Sequence, residues 1–388
     1  MTRKVNKGWK AAAGVVAVAL IATACGGDDD DASDDTAAEE PAEEPAEEPA
    51  EEPAEEPAED EVDVTQGGGI LEAVQARGTL NCGVSGAAVA FSQANAEGRM
   101  EGIDAEYCRA VAAAVLGDSE AVEFTSLTAA ERFTAVQTGD VDVLMRNSTW
   151  TQSRDTDVGM DFGPTTYYDG QQLMGRASDG FSGSSEVSEI DGAIVCTNAG
   201  TTTETNISEL AQVLGITITL NTFEDFDQVT DAFVAGTCDI ITTDGSGLVG
   251  RKAVQQPEGE EWVIFPPTPI SKEPLGPVYA QNDSAWADVV NWTVFATFIA
   301  DEYGVTSADA DAALAGDFGP EMQRLMGGEG ELQSAMGLGA DAYYNVISQV
   351  GNYQEIWDLT LTPVGLDRTG SANALWTDGG LLYAPPAR

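Results

Sequence analysis

Apolar residues recur at helical spacing in Ile70-Leu71-Glu72-Ala73-Val74-Gln75-Ala76, which predicts a short helix. Gly78-Thr79-Leu80-Asn81-Cys82-Gly83-Val84 reads as a buried strand running into a turn. Asp104 to Leu116 carries an Ala/Val face and stops at Gly117, as a helix does. Val122-Glu123-Phe124-Thr125 predicts a strand, Ala129 to Thr138 a helix ended by Gly139, and Asp140 to Leu144 another strand. The order restarts after Asp169-Gly170. A strand is predicted at Gly192–Cys196, a helix from the Gly200 region through Leu214, and a strand at Ile216–Leu220. A helix at Phe226–Ala235 and a strand at Asp239–Thr243 follow. From about Glu273 the chain holds an apolar helix around Trp286 to Ile299 and several short helices. Strands alternating with helices predict an α/β fold with largely parallel sheets covered on both faces. Two units of like order predict two lobes.

The first 66 residues break this pattern. Arg3, Lys4, Lys7 and Lys10 precede an apolar run from Ala11 to Ala24, which ends at Cys25. Residues 1–24 therefore read as a secretory signal, too short to span a bilayer comfortably. Ala22-Thr23-Ala24-Cys25-Gly26 resembles a bacterial lipobox, with Ala22 where Leu is preferred. That resemblance implies that Cys25 is acylated and becomes the N-terminus; the alternative is an ordinary signal with a Cys nearby. Residues 28–63 hold twenty Asp or Glu and no Lys or Arg, and Glu-Glu-Pro-Ala runs five times from Glu39 to Ala58. Such a segment has almost nothing to bury, its carboxylates repel, and a Pro every fourth residue blocks helix. Residues 25–66 are expected to form a disordered spacer, held off an anionic membrane surface and anchored by lipid. A calcium-binding role has no loop to fix the ligands.

Charge and cysteine content narrow what the remainder can do. Acidic residues beyond position 63 number 66 − 20 = 46, and basic residues beyond the signal number 17 − 4 = 13, so the folded part carries about −33. Nucleic acid is excluded as a partner, because phosphate binding needs a basic surface. Histidine is absent, which removes Ser-His-Asp and Cys-His nucleophile systems and the commonest zinc ligand. No cofactor or metal is expected. Beside Cys25, the cysteines Cys82, Cys108, Cys196 and Cys238 form an even set in an exported chain. Three pairings are open, the simplest joining Cys82 to Cys108 and Cys196 to Cys238. No CxxC occurs.

Three segments fall where α/β sheets place ligands, at the carboxyl ends of strands. They are Arg146-Asn147-Ser148-Thr149-Trp150-Thr151-Gln152-Ser153-Arg154, Gly200-Thr201-Thr202-Thr203 and Thr243-Asp244-Gly245-Ser246-Gly247. Together they offer a guanidinium, a hydroxyl-rich helix start and a carboxylate, the set that a zwitterion needs. Arg154 can grip a carboxylate through two parallel N–H bonds, the amides near Thr202 favour negative charge, and Asp244 can take an ammonium.

The order of these segments resembles the solute-binding proteins of polar amino-acid ABC transporters, of the general L-amino-acid type. The resemblance covers nearly all of residues 70–388. It includes Gly102-Ile103-Asp104, Glu131-Arg132-Phe133, Arg146 to Thr151, Arg154-Asp155-Thr156 and Tyr167-Tyr168-Asp169-Gly170. It continues through Gly200 to Glu204, Thr242-Thr243-Asp244, Ser271 to Pro277, Gln349 to Tyr353, Asn373 to Trp376 and Gly379-Gly380-Leu381. It implies a two-lobed periplasmic-binding-protein type II fold with a hinge and a cleft between lobes. Lobe 1 would comprise residues 67–172 and 275–388, lobe 2 residues 173–274. It further implies that Arg154, helped by Thr149 and the backbone at Asn147, holds the ligand carboxylate. Thr202, with Thr201 beside it, adds contacts from lobe 2, and Asp244 binds the ammonium. The implied partners are a free L-amino acid and the permease subunits of an ABC transporter, and the implied state is a monomer on the extracytoplasmic face. Narrower relatives clamp the side chain with aromatics, but the corresponding stretches here are Ser85-Gly86-Ala87-Ala88 and Thr128-Ala129. Broad specificity is therefore expected, with Phe91 and Trp150 as the nearest substitutes for the clamp. An enzyme on the same fold would need a general acid, for which only Glu204 and Asp244 offer themselves. A sensor would need an attached output domain.

Overall fold

The computed structural model describes residues 69–328 and 332–388. The predicted signal, Cys25 and the acidic spacer lie outside them. Helix α1 (Ile70–Arg77) leads into strand β1 (Leu80–Val84), and a small antiparallel sheet follows from β2 (Ala87–Ala88), β3 (Ser92–Ala94) and β4 (Met100–Glu101). Next come α2 (Ile103–Leu116), β5 (Val122–Ser126), α3 (Arg132–Gln137), β6 (Val143–Thr149), α4 (Gln152–Thr156), β7 (Met160–Phe162) and β8 (Tyr167–Asp169). The second unit holds β9 (Gln171–Arg176), β10 (Ile194–Asn198), α5 (Thr202–Leu214), β11 (Thr219–Phe223), α6 (Phe226–Val234), β12 (Ile240–Asp244), α7 (Gly245–Gln255) and β13 (Trp262–Phe265). The chain then returns through β14 (Glu273–Ala280) to α8 (Ser284–Glu302) and the helices α9 (Ala310–Ala315), α10 (Pro320–Leu325), α11 (Leu332–Ala335), α12 (Ala342–Gln349) and α13 (Tyr353–Thr360).

Beside that small sheet two larger ones result, one per lobe. The first runs β5-β1-β6-β14-β7, with β8 also on β14; the second runs β11-β10-β12-β9-β13. The strands of the βαβ units pair in parallel, as expected. The strands that carry the chain between lobes do not: β9 and β14 pair antiparallel with their neighbours. The sheets are therefore mixed rather than largely parallel. The physical reason is that a chain crossing once out and once back must lay its return strand against the outgoing one. Pairing of Glu273 with Asp169 and Leu275 with Tyr167 puts the two crossings side by side. At Gly170 a Cβ would stand 2.6 Å from the Ser271 carbonyl oxygen and 2.5 Å from Pro269, so only glycine admits this approach.

The larger core belongs to lobe 1. Helix α2 is buried almost all round and meets β1, α8 and α12; Tyr107, Val111, Trp286, Val290, Phe298 and Tyr343 are among the buried residues of this core. The segment after α8 tightens this lobe onto the hinge. Asn373 accepts from the Tyr168 backbone N–H (2.7 Å) and donates to its carbonyl (3.0 Å), and the Tyr353 hydroxyl donates to the Thr166 carbonyl (2.8 Å). Lobe 2 has two smaller clusters on either side of its sheet, around Trp262 and Phe233 and around Leu173 and Val195. Of the three open cysteine pairings, the structure holds Cys82–Cys108, tying β1 to α2, and Cys196–Cys238, tying β10 to the turn before β12.

Several element limits differ from expectation, among them the strand expected at Gly192–Cys196, which is Ile194–Asn198. Strand β6 runs to Thr149 and not to Leu144, the helix expected from Ala129 begins at Arg132, and the strand expected at Ile216–Leu220 is Thr219–Phe223. The last lies at the sheet edge, where half-exposed positions carry little alternation.

Candidate functional site

Strand β6 and the turn after it supply one wall. Asp104, in the first turn of α2, accepts the Asn147 backbone N–H at 2.8 Å. That bond holds Asn147 at a φ of +33°, in backbone space that residues with side chains seldom enter. Thr151 caps α4, its hydroxyl accepting the Arg154 N–H at 3.3 Å. Arg154 is thereby set on a short helix beside the strand end, and its Nη1 donates to the Thr149 carbonyl at 2.8 Å. Its guanidinium lies 5.3 Å from the Phe133 ring centre.

Two helix starts supply the other wall. Thr201 caps α5: its hydroxyl accepts the Glu204 N–H (3.2 Å) and donates to the Asn198 carbonyl (2.8 Å). The Thr201 hydroxyl is thus occupied by the cap. The Thr202 hydroxyl donates to Glu273 at 2.9 Å and lies 3.5 Å from the Thr149 hydroxyl, so the two lobes touch here. Glu273 also accepts from Ser271 and Asn206. Asp244 ends β12, is buried, and its carboxylate accepts no hydrogen bond among the described residues. Burial, and then the negative charges of Asp169 and Glu273, push its carboxyl well above the usual carboxylate range; Arg154 and Arg132 pull it back only in part. A cationic group beside it would relieve both penalties.

Arg154, Thr149, Asn147, Thr202, Thr201 and Asp244 all line one cleft of about 1060 Å³, counted to its open mouth. The six ligand-binding candidates predicted from the sequence are therefore gathered in one place. Of the two aromatic substitutes, Phe91 lines the cleft, whereas Trp150 lies half-exposed against Phe162 and does not. Phe226 of lobe 2 lines it as well. The small residues Ser85, Ala87 and Ala88 line the cleft as their sequence suggested.

Beside Arg154, the guanidiniums of Arg132 and Arg146 line the same cleft. Sequence reasoning quoted both within motifs and gave neither a role. The available signal was scarcity: with 13 basic residues left after the signal, four buried Arg in one cleft (Arg132, Arg146, Arg154 and Arg251) is a large share. Arg251 was missed too. Its guanidinium pairs with Asp227 and donates to the Ala87 carbonyl of lobe 1 at 2.5 Å, closing the lobes across the cleft. Among the described residues no cluster of three or more metal-ligating side chains occurs. No described helix is long and apolar enough to cross a membrane.

The arrangement is a cleft with the guanidiniums of Arg132, Arg146 and Arg154 on one wall, the Asp244 carboxylate on the other and helix starts facing inward. Comparison with known proteins agrees with this geometry. Residues 80–206 match the profile of bacterial extracellular solute-binding proteins, family 3. The chain is 43% identical over 321 residues to the glutamate/glutamine/aspartate/asparagine-binding protein BztA of Rhodobacter capsulatus, covering 82% of this chain and 93% of that one. It is 41% identical over 324 residues to the general L-amino acid-binding periplasmic protein AapJ of Rhizobium johnstonii, covering 82% and 92%. Among solved structures, an ABC transporter/periplasmic binding protein from Brucella ovis with glutathione bound is 41% identical, with a TM-score of 0.77, covering 82% of this chain and 99% of that one.

Proposed function

The chain belongs to the bacterial extracellular solute-binding proteins of family 3, and on that premise we propose that it captures L-amino acids outside the cytoplasm and hands them to an ABC permease. Its role is transport and not catalysis, as for the relatives that share most of its length. The fold is the two-lobed periplasmic-binding type. Lobe 1 is assigned residues 67–172 and 275–388, lobe 2 residues 173–274, with the hinge at the paired crossings. Cys25 carries a lipid and residues 25–66 act as a tether, so that a monomer stays at the outer face of the membrane.

One observation supports the ligand class above others: Arg154 from lobe 1 and Asp244 from lobe 2 line one cleft, and neither has a salt-bridge partner among the described residues. A zwitterion supplies the carboxylate that Arg154 lacks and the ammonium that Asp244 lacks, and does so only when the lobes are together. The ligand therefore binds the closed state better and shifts the population toward it. Thr149, the backbone at Asn147 and the amide at Thr202 complete the carboxylate contacts, with Thr201 fixing the helix start. The small residues at Ser85–Ala88 leave room for side chains of differing size.

The test is calorimetric and thermal titration of the full chain, stripped of carried ligand by partial unfolding and dialysis, against the twenty L-amino acids. Binding raises the melting temperature by mass action. Arg154→Ala is expected to weaken every amino acid by about a hundredfold or more, the loss typical when one partner of a buried charge pair is truncated, with the ligand-free melting temperature kept. Near-parent affinity in Arg154→Ala would remove that residue from the site. Absence of binding by any amino acid to a folded chain would remove the amino-acid reading itself.

A further inference from the structure

Arg132 and Arg146 are the least satisfied charges in the cleft. Arg132 is 3% exposed, donates no hydrogen bond to any described residue, and leaves its buried Nε without a partner. Its one close neighbour of note is the Phe133 ring, 4.7 Å from the guanidinium, which it shares with Arg154. Arg146 is 8% exposed and spends only Nε, on the Leu127 carbonyl at 2.9 Å. Neither forms a salt bridge with a described residue. Asp104 is the carboxylate that acts on Arg146, but it is engaged with the Asn147 N–H. Asp244 acts on Arg132, yet it is the group that the ligand ammonium needs. Burying an unpaired charge is expensive, and a ring face recovers only part of the cost. Three neighbouring cations in a chain of net charge −49 make the expense harder to explain as structure. An anionic group on a ligand would offset it.

Arg154 accounts for one carboxylate, which leaves two guanidiniums for another. We infer that Arg132 and Arg146 form a second anion pole, and that the preferred ligand is an α-amino acid bearing a second carboxylate at the far end of its side chain. The inference rests on the amino-acid reading and narrows it: the cleft is tolerant of side-chain size and selective for charge. Burial, reinforced by repulsion from Arg146 and Arg154, depresses the Arg132 guanidinium well below its ordinary value; burial and Arg154, against the pull of Asp104, bring Arg146 to about 10. A distal carboxylate would lift both. The second carboxylate has two sources with shared chemistry, a dicarboxylic amino acid and a γ-glutamyl peptide whose last carboxylate sits on a longer arm.

The experiment titrates the full, ligand-stripped chain with L-glutamate, L-glutamine, L-leucine and glutathione, and repeats it on Arg132→Met and Arg146→Met. L-Glutamate or glutathione is expected to bind at least tenfold tighter than L-glutamine and L-leucine; whichever of the two is tighter identifies the arm length. In each variant that preference shrinks at least tenfold while L-leucine is unchanged or improved. Arg132→Met, which breaks no hydrogen bond, is expected to melt no lower than the parent without ligand, and Arg132→Lys to keep part of the preference. Equal affinity for L-glutamate, L-glutamine and L-leucine overturns the second pole and leaves the amino-acid reading standing. A uniform loss for all four ligands in both variants overturns it as well, since it marks the arginines as structural. Failure of every ligand to bind the parent overturns both readings together.

Discussion

Asp104 shows how a single buried carboxylate can shape the cleft without lining it. Asn147 needs an external hold to stay at positive φ, and the Asp104 oxygen on its N–H provides one. Burial raises the Asp104 carboxyl to about 7, against the opposing pull of the Asn147 N–H and of Arg146. The folded protein thus keeps a proton on Asp104 at pH values where the unfolded chain has lost it. The resulting stabilisation is full below about pH 4, where both states are protonated, and is lost as pH rises through about 7. Asp169, raised to about 6 chiefly by burial at the hinge, adds to the same trend. Melting temperatures measured between pH 4 and 8 are expected to fall more steeply with pH in the parent than in Asp104→Asn, which keeps an acceptor for the Asn147 N–H. Parallel curves would show that Asp104 is ionised throughout. At this scale the sequence was partly readable. Arg154 and Asp244 announce themselves through their neighbours, a Thr-x-Thr strand end and a strand followed by Gly-Ser-Gly. Arg132 does not, because an Arg at a helix start reads as solvated, and only the packing of α3 against the cleft removes it from water.

Among elements, β10 and β12 do most to place the lobe 2 wall, since Thr202 follows one and Asp244 ends the other. They pair in parallel through Val195–Ile240 and Cys196–Ile241, and Cys196–Cys238 fastens the same two segments covalently. The pair closes 42 residues, which in the chain-entropy picture is worth about 4 kcal/mol. Replacing both cysteines by Ala is expected to lower unfolding stability by roughly that amount, as read by chemical denaturation, while amino-acid affinity changes by less than about threefold because the ladder still sets the strand ends. A large loss of affinity at unchanged stability would mean that the bridge tunes the site directly. Elements with strong periodicity were legible: α2 closes at Gly117, and α6 shows the apolar stripe of Val229 and Phe233. Strand β6 was cut short in prediction because Arg146 and Asn147 look like loop residues. They stay on the strand because Ser148 and Thr149 still pair with β14, across a bulge between Gly276 and Val278. The antiparallel returns of β9 and β14 were not legible at all, since a crossing between lobes leaves no local pattern.

For the whole molecule, function depends on two lobes that meet without fusing. The contacts that cross the cleft are few and of two kinds. Polar ones, such as Arg251 on the Ala87 carbonyl and Thr202 beside Thr149, can exchange with water when the lobes part. The steric one is Gly250. A Cβ on this helix residue would lie 3.1 Å from Val89 Cβ and Cγ1 in the opposite lobe, so a large side chain there would press on Val89 in the closed state. Glycine inside a helix costs about 0.5–1 kcal/mol relative to alanine. Gly250→Leu is therefore expected to leave the ligand-free protein at least as stable, since an open cleft frees the space. It should bind amino acids about tenfold or more weakly, because part of the binding free energy then goes to forcing closure against a clash. Small-angle scattering supplies the second readout: the ligand-induced contraction of the parent should be absent or reduced in Gly250→Leu at saturating ligand. Parent-like affinity together with parent-like contraction would show that Val89 yields, and would place the limit on closure at the Arg251 contact.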